Sequence, residues 1–586
     1  MHKENSLQHF LTKSRELENT TFTKKVKIGI LSSFTINGLG ETLQVKCAEN
    51  DVECKYYVGP YDQYSQEIIS ENSKLYQFTP DLVFLLLDTR SLFGDIFHDH
   101  HYLELDERKS LISTKIQEIN NLIEIFTKNS SSKLIISNLT LPIFSSFGIN
   151  ETKLELGFRE MIILFNSELS KTCKNKNNLF LYDFNTFSSK HGQKNIFDMK
   201  NFLFGDIQIN FDFIPYLAHE LISYVNAYLG LTKKCIVLDL DNTLWGGVIG
   251  EDGFENIKLG PQPPGNAFYE FQKTLKAFKN RGIILAINSK NNADDALKVI
   301  REHPYMILKE NDFSCMKINW NDKVENMKEI SEELNLGLES FVFFDDDKMN
   351  CEFMKISLPQ VKVVNLTGDP AYFSDMLQNM NDFDTLSITN EDLKRTQMYT
   401  EQVKRDNLKK SSISMEDFLK NLDIDITIKK SNNFTIPRIS QLTLKTNQFN
   451  LTTKRYQEED IRKLTEDNSF LVGCAQVQDK FGDNGITGVF IVNKQNPKEW
   501  FLDSFLLSCR IMGREVEKAI LNYIIDEARK QKIEKIIAEF LPTKKNKPAE
   551  NFLPQCGFVQ SNNKWIYDVN NSLKLPEFLS VKVENE

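Results

Sequence analysis

Short apolar runs alternate with longer amphipathic stretches through the first part of the chain. KIGILSSF (27–34), ECKYYVG (53–59), DLVFLLLD (81–88), KLIISN (133–138) and NLFLYDF (178–184) each carry apolar residues bounded by polar or Gly-containing sequence, and predict strands. Between them lie stretches of helical length: YDQYSQEIISENSKLYQF, 103–128 and 151–174, with a further helix at 212–229. Strand alternating with helix predicts a doubly wound parallel sheet over 25–230, entered through a polar, helical lead-in at 1–24.

The alternation resumes over 233–383. CIVL, GIILAIN (282–288) and FVFF (341–344) predict strands; 267–280, 293–302 and 325–335 predict helices. After the first of these strands, WGGVIGEDG predicts a short hairpin, since adjacent glycines suit tight turns. A charged stretch at 384–414 predicts a connecting helix. Beyond it the pattern changes. DIDITIKK, FLVGCAQVQD, ITGVFIVN and EWFLDSFLLS predict antiparallel strands, followed by a helix at 514–530 and the strand KIIAEFL. The expected fold class is α/β with three domains: a doubly wound parallel sheet at 25–230, a Rossmann-like core at 233–383 and an α+β domain at 415–575.

Composition narrows the function classes. A chain of 586 residues has room for about three or four domains. Its 41% hydrophobic and 26% charged content is that of ordinary globular protein. A net charge of −10 argues against a general nucleic-acid surface. The longest apolar runs, such as 82–87, are too short to span a bilayer, and MHKENSLQHF has no secretory apolar core. Nine scattered cysteines without CxxC pairs fit reduced thiols of the cytoplasm better than disulfides or a zinc site.

The chemistry gathers at strand ends, where open parallel sheets place ligands. The first strand of the second domain runs into Asp239, Leu240, Asp241, Asn242 and Thr243. By strand alternation Asp239 and Asp241 share a side. Taken alone, the pair reads equally as a magnesium-holding or nucleophilic site and as an acidic cap, with Asn242 or Thr243 starting a helix. Three further points change the weighing: Ser289 and Lys290 after the second strand, Lys323 in INWNDK, and Asp345 and Asp346 after FVFF. A phosphoryl-transfer site needs such groups. One carboxylate attacks phosphorus, and a second acid protonates the leaving oxygen. A hydroxyl and a lysine hold the phosphoryl oxygens, and an acid on another strand completes a magnesium shell.

DLDNT, NSK, NDK and FDDD, in this order and spacing, resemble the four motifs of the haloacid dehalogenase (HAD) superfamily. The longer LDLDNTLWGGVIGEDG, with INW before the lysine, resembles the FkbH-like branch of subclass IIIC. The resemblance implies Asp239 as nucleophile, Asp241 as acid/base, and Ser289 and Lys323 as phosphoryl holders. It implies Mg2+ held by Asp239, Asp346 and the backbone carbonyl of Asp241, with Asp345 a ligand or the orienter of a metal-bound water. Thr243, Asn288 and Lys290 are the candidate substrate-binding residues beside these motifs. The short spacing between motifs leaves no room for a large cap, so an open site is expected. FkbH-like proteins are associated with loading a glyceryl unit from 1,3-bisphosphoglycerate, an acyl phosphate, onto an acyl carrier protein. Acyl-transferring members carry the acyl group on a cysteine beside the motif-two serine. Here that neighbour is Asn288, and Cys235, Cys315 and Cys351 stand elsewhere in the domain.

The flanks carry weaker resemblances. Ser32 and Ser33 after the first strand, with Asp212 and His219 late in the domain, resemble the layout of SGNH-type hydrolases. GxND is replaced by LDTR, and the Asp and His stand seven apart. A hydrolase and a degenerate sheet domain used for binding or scaffolding both remain open. Strands followed by Arg510-Ile-Met-Gly513-Arg-Glu515, a helix and NFLPQCGF resemble a GNAT acyltransferase domain. That likeness implies acyl-CoA binding near Arg510 and Gly513, with Glu515 standing where Gly or Ala is expected. TNQFNLTTKRY (446–456) is similar to a block of the FkbH-like C-terminal region. The expected function is a magnesium-dependent HAD phosphoryl transferase or phosphatase, set in acyl loading of an acyl carrier protein. A plain phosphohydrolase and a non-catalytic docking scaffold are the alternatives.

Overall fold

The apolar run that opens the first domain forms β1 (Lys24–Ser32), buried from Val26 through to Ser32 apart from half-buried Lys27. The structure, a computed structural model, describes residues 6–17, 20–388, 401, 405, 408–409, 412–562 and 564–584. The chain divides into two compact units, Met1–Asn226 and Ala227–Glu586.

In the first unit β1 joins β2 (Val52–Val58), β3 (Leu82–Leu86), β4 (Lys133–Ser137) and β5 (Leu179–Tyr182) in a parallel sheet of order β2-β1-β3-β4-β5. The central strand β3 is buried at every residue, as a strand covered on both faces must be. The long helix Leu105–Asn129 supplies Ile112, Ile119, Ile123 and Phe126 to one core, and the helix Phe158–Lys174 adds Phe158 and Phe165. The strand order reverses between β1 and β3, which leaves a crevice at the carboxyl ends of those strands.

The second unit begins with another parallel sheet: β6 (Cys235–Leu238), β7 (Ile284–Ser289), β8 (Phe313–Ile318), β9 (Phe341–Asp345) and β10 (Lys362–Asn365), in the order β10-β9-β6-β7-β8. Strand alternation sorts β6 between two cores. Ile236 and Leu238 enter one, and Cys235 and Val237 the other. The edge strands β8 and β10 were not expected from the apolar pattern. Half of β8 and most of β10 are only half-buried, so neither carries a full apolar run.

WGGVIGEDG does not form the expected hairpin. It makes a helical turn, Ile249–Asp252, and the loop is closed by an antiparallel bridge between Gly246 and Lys258. Asp252 drives the turn: its Oδ2 accepts the Val248 N–H at 2.8 Å and draws the chain into a helical coil.

The rest of this unit is an α+β domain built on a mainly antiparallel sheet: β11 (Ile424–Lys430), β12 (Phe449–Asn450), β13 (Phe470–Asp479), β14 (Gly482–Asn493), β15 (Glu499–Leu507), β16 (Lys535–Ala538), β17 (Val559–Ser561), β18 (Lys564–Asp568) and β19 (Leu579–Glu584). β15 and β16 pair in parallel through the helix Val516–Lys530. The multi-domain α/β class expected from sequence is the one observed. Most of the expected connecting helix at 384–414 lies outside the described residues. Arg405 from that stretch is buried and bidentate on Asp479, at 2.7 and 2.8 Å.

Candidate active site

Asp239 is placed by the sheet itself. Its N–H donates to the Phe344 carbonyl at 3.0 Å, which carries the β6–β9 ladder one residue beyond β6. The chain then turns sharply. Leu240, Leu244 and Trp245 are wholly buried in the core, and Asn242 takes a left-handed backbone (φ 53°). Burying those apolar side chains leaves Asp239 and Asp241 displayed at the strand end.

β9 brings the partner acids. Asp345 ends that strand, wholly buried, and Asp346 follows. Asp347 caps the next helix, its Oδ1 accepting the N–H of Met349 at 2.6 Å and of Asn350 at 3.1 Å. Lys323 opens the helix Lys323–Glu333 behind the cap Asp322. Its ammonium donates to Asp345 Oδ2 at 2.7 Å and lies 3.1 Å from Asp239 Oδ2. Burial alone would lower this lysine, but Asp239 and Asp345 outweigh it and hold its pKa above the ordinary value.

Carboxylate oxygens of Asp239, Asp345 and Asp346 lie within 4.8 Å of one another. Asp239 Oδ1 is buried without a protein partner. Burial first, then the charge of Asp239, raises the pKa of both Asp345 and Asp346. Three oxygen donors around one point, one of them orphaned, are a set that can hold a hard divalent cation.

Asp241 stands outside that trio, held by a cradle of donors. The Trp245 indole N–H donates to Oδ1 at 2.8 Å and the Ile249 N–H to Oδ1 at 3.1 Å; the Asn291 amide donates to Oδ2 at 2.9 Å. Burial raises its pKa in spite of these bonds. The WGGVIGED stretch is therefore a brace for one carboxylate. Within it Asn242 Oδ1 accepts the Gly247 N–H at 2.9 Å. Gly247 has φ 94°, and a Cβ there would meet the Asp252 carboxylate, so the position requires glycine.

Ser289 is the buried last residue of β7, and its carbonyl accepts the Asn319 N–H at 3.2 Å. Asn288 is wholly buried. Its amide donates to the Lys323 carbonyl at 2.8 Å, and its Oδ1 accepts from Asn326 at 3.2 Å. Asn326 also donates to Asn319 Oδ1 at 3.0 Å. Three asparagines thus tie β7, the loop after β8 and the Lys323 helix together. Thr243 is wholly buried with Oγ1 unpartnered, and Lys290 is exposed. Trp245, Asn291, Asn319 and Asn326 were not singled out as site residues, although the first three sit in or beside the motifs. Between Asp241 and Ser289, and between Ser289 and Lys323, the chain supplies single helices and β8, with no cap domain. Trp320, 74% exposed, follows Asn319.

The flanking candidates fare differently. Ser33 Oγ accepts the Asp88 N–H at 2.9 Å and Ser32 Oγ the Phe34 N–H at 3.1 Å, and both residues are buried. Asp212 and His219 are exposed. Each of these serine hydroxyls accepts a backbone N–H, whereas the acid and the histidine of the resemblance lie at the surface. In the third domain Gly513 has φ 74° and open space about it. Arg510 lines a cavity of about 350 Å³ with Arg438 and Lys445. The helix start beyond them already holds acids. Glu515 caps it in a left-handed conformation with its Oε2 paired to the Lys518 ammonium, and Glu517 buries an unpartnered Oε2. Burial, then Glu515, pushes Glu517 up to about 7. The pyrophosphate of coenzyme A would bring further negative charge to that place, so these residues do not fit it.

Residues 27–226 match the family described as FkbH, N-terminal domain, and nearly coincide with the first compact unit. A crystal structure of the N-terminal part of BF1531 from Bacteroides fragilis, containing a phosphatase domain complexed with Mg, is 29% identical; the alignment covers 64% of this chain and 99% of that one, with a TM-score of 0.59. The ribosomal-protein-S18-alanine N-acetyltransferase of Escherichia coli is 14% identical over 23% of this chain and 79% of its own, with a TM-score of 0.19. Ard1 of Thermoplasma volcanium is 19% identical over 24% and 94%, also at 0.19. No curated protein matches the chain in sequence. With its four motifs brought to the strand ends of one sheet and its first unit matching that family, the chain is similar to FkbH-like proteins of the HAD type.

Proposed function

We propose that this protein is a magnesium-dependent phosphatase that works through an aspartyl-phosphate on Asp239. The meeting of Asp239, Asp345 and Asp346 about one point, with Lys323 bridging the first two, carries this reading. Three carboxylates against one ammonium leave a negative surplus that would repel a phosphate. Asp239, Asp345 and Asp346 would hold Mg2+, which when bound neutralises that surplus and polarises a phosphoryl oxygen. The Mg-complexed phosphatase domain of the Bacteroides relative supports this choice of ion.

In the first step an Asp239 oxygen bonds to phosphorus as the bond to the leaving oxygen breaks. Asp241 gives that oxygen a proton, and its raised pKa keeps the proton available to a higher pH than an ordinary aspartate would. In the second step Asp241 takes a proton from water as the water oxygen attacks phosphorus. The bond to Asp239 breaks and free phosphate leaves. Lys323 and Ser289 hold the phosphoryl oxygens and spread the developing charge.

The FkbH-like setting extends the proposal. The phosphate is lost while an acyl or glyceryl unit, from an acyl phosphate such as 1,3-bisphosphoglycerate, is loaded onto an acyl carrier protein in the cytoplasm. The uncapped site supports access by a long carrier arm. One observation favours a second reading, plain hydrolysis of a small phosphate ester or phosphoprotein: Asn288 offers no thiol beside Ser289 and is spent on the Lys323 backbone. Among the described residues no helix is long and apolar enough to cross a membrane. Hydrolysis of an aryl phosphate should require Mg2+, stop with a chelator and vanish in Asp239→Asn; turnover by that variant would exclude this chemistry. Incubating carrier protein and acyl phosphate with the enzyme separates the two settings. A glyceryl mass shift on the carrier supports loading, and free phosphate alone supports hydrolysis.

A further inference from the structure

The first unit contains a cavity that the phosphoryl chemistry does not use. It measures about 550 Å³ and is lined by residues that follow β3 and β4, among them Asp88, Thr89 and Thr140. Open parallel sheets bind ligands at such strand ends, and the volume is that of a small-molecule site. The walls are largely apolar, with Phe97, Phe144, Phe197, Met199 and Phe202. Phe144 and Met199 are more than half exposed, at 57% and 55%, although nothing polar is gained by presenting them to water.

One guanidinium is set into this wall. Arg90, on the helix Thr89–Phe93, lies 5.4 Å from the ring centre of Phe97 and 4.9 Å from that of Phe202. It donates to Nε2 of His98 at 2.9 Å and to the Met199 sulfur at 3.5 Å. Among the described residues it makes no ion pair. The two acids that line the cavity are spent on helix starts. Asp88 Oδ2 accepts the Ser91 N–H at 2.8 Å; Asp198 accepts the Asn201 N–H at 3.1 Å and its amide at 2.8 Å. Lys194 adds a second cation to the lining. An arginine held between rings and a sulfur has lost part of its hydration, and aromatic faces return only part of that cost. Its planar fork still has donors to give, and a carboxylate matches them.

We propose that this cavity binds a small organic acid, its carboxylate on Arg90 and its apolar body against Phe97, Phe144 and Phe202. The proposal does not depend on the phosphatase reading. The full-length protein is titrated calorimetrically with octanoate and 3-phenylpropanoate, with octanol as the uncharged counterpart. Saturable binding of at least one acid is expected, weaker by about ten-fold or more for octanol and in Arg90→Gln, a loss of the size a charge-assisted hydrogen bond gives. Arg90→Lys should retain part of the affinity. Equal affinity for octanol and octanoate would overturn the proposal, and that comparison needs only the wild-type chain. So would undiminished acid binding in a folded Arg90→Gln, or no saturable binding of either acid.

Discussion

The indole N–H of Trp245 donates to Oδ1 of Asp241 at 2.8 Å, from a ring that is wholly buried. The contact explains why a bulky tryptophan follows the DxD motif by so short an interval: it fills the core and orients the carboxylate proposed as acid/base. Trp245→Phe keeps most of the burial and removes the donor. A hydrogen bond to a charged group contributes about 1.5–3 kcal/mol. We expect kcat on an aryl phosphate to fall about ten-fold or more, with KM little changed, since Asp241 acts on the reacting bonds and not on ground-state binding. Steady-state kinetics of the variant check this.

Gly247 makes the same brace possible from the backbone side. Gly247→Ala would place a Cβ in a left-handed conformation and against the Asp252 carboxylate. We expect a loss of about 1–2 kcal/mol in stability, together with reduced kcat because the Ile249 N–H shifts from Asp241. Denaturant unfolding and kinetics on the same preparation measure both.

Asn288 supports Lys323 through its backbone. Asn288→Ala removes the donor to the Lys323 carbonyl and one of the two acceptors of the Asn326 amide, which keeps Asn319 Oδ1. The expected cost is about 1–3 kcal/mol for each buried partner left unsatisfied. Activity should fall in parallel, because Lys323 is the ammonium shared by Asp239 and Asp345. A variant with unchanged unfolding and unchanged activity would remove Asn288 from any supporting role.

The third domain has its own pH signature. Glu517 is raised from an ordinary 4.5 to about 7 by burial and by Glu515. A carboxyl whose folded pKa lies above its unfolded one favours folding in its protonated form. Its contribution is full below about 4.5 and is lost as pH rises through about 7. Glu517→Gln keeps the neutral shape at all pH. The variant should melt higher than wild type at pH 8, with the gap closing by pH 5. A gap that is constant across this range would show that Glu517 does not titrate there.

The sequence showed the strands that carry the chemistry because each is buried on both faces and so writes a continuous apolar run: CIVL, GIILAIN and FVFF. Their ends place Asp239, Ser289 and Asp345. What stayed hidden follows from physics with no local period. β8 and β10 lie at sheet edges, half-buried, and their apolar pattern is broken. Asn291 and Asn326 act on residues fifty and thirty-eight positions away, which only the folded sheet brings near. In WGGVIGEDG the glycines read as a hairpin, but Asp252 captures the Val248 N–H and makes a helical turn. Ser33 stood where a nucleophile would, and its Oγ accepts the Asp88 N–H, a contact between the turns after β1 and β3 that the sequence does not display.

The central assignment is the nucleophile, and trapping the phosphoenzyme tests it most directly. The enzyme is mixed with an aryl phosphate and Mg2+, quenched, reduced with borohydride and digested, so that a phosphorylated aspartate is converted to homoserine. Homoserine at position 239, absent in Asp239→Asn, is the expected result. Homoserine at another aspartate, or turnover with none formed, would contradict it.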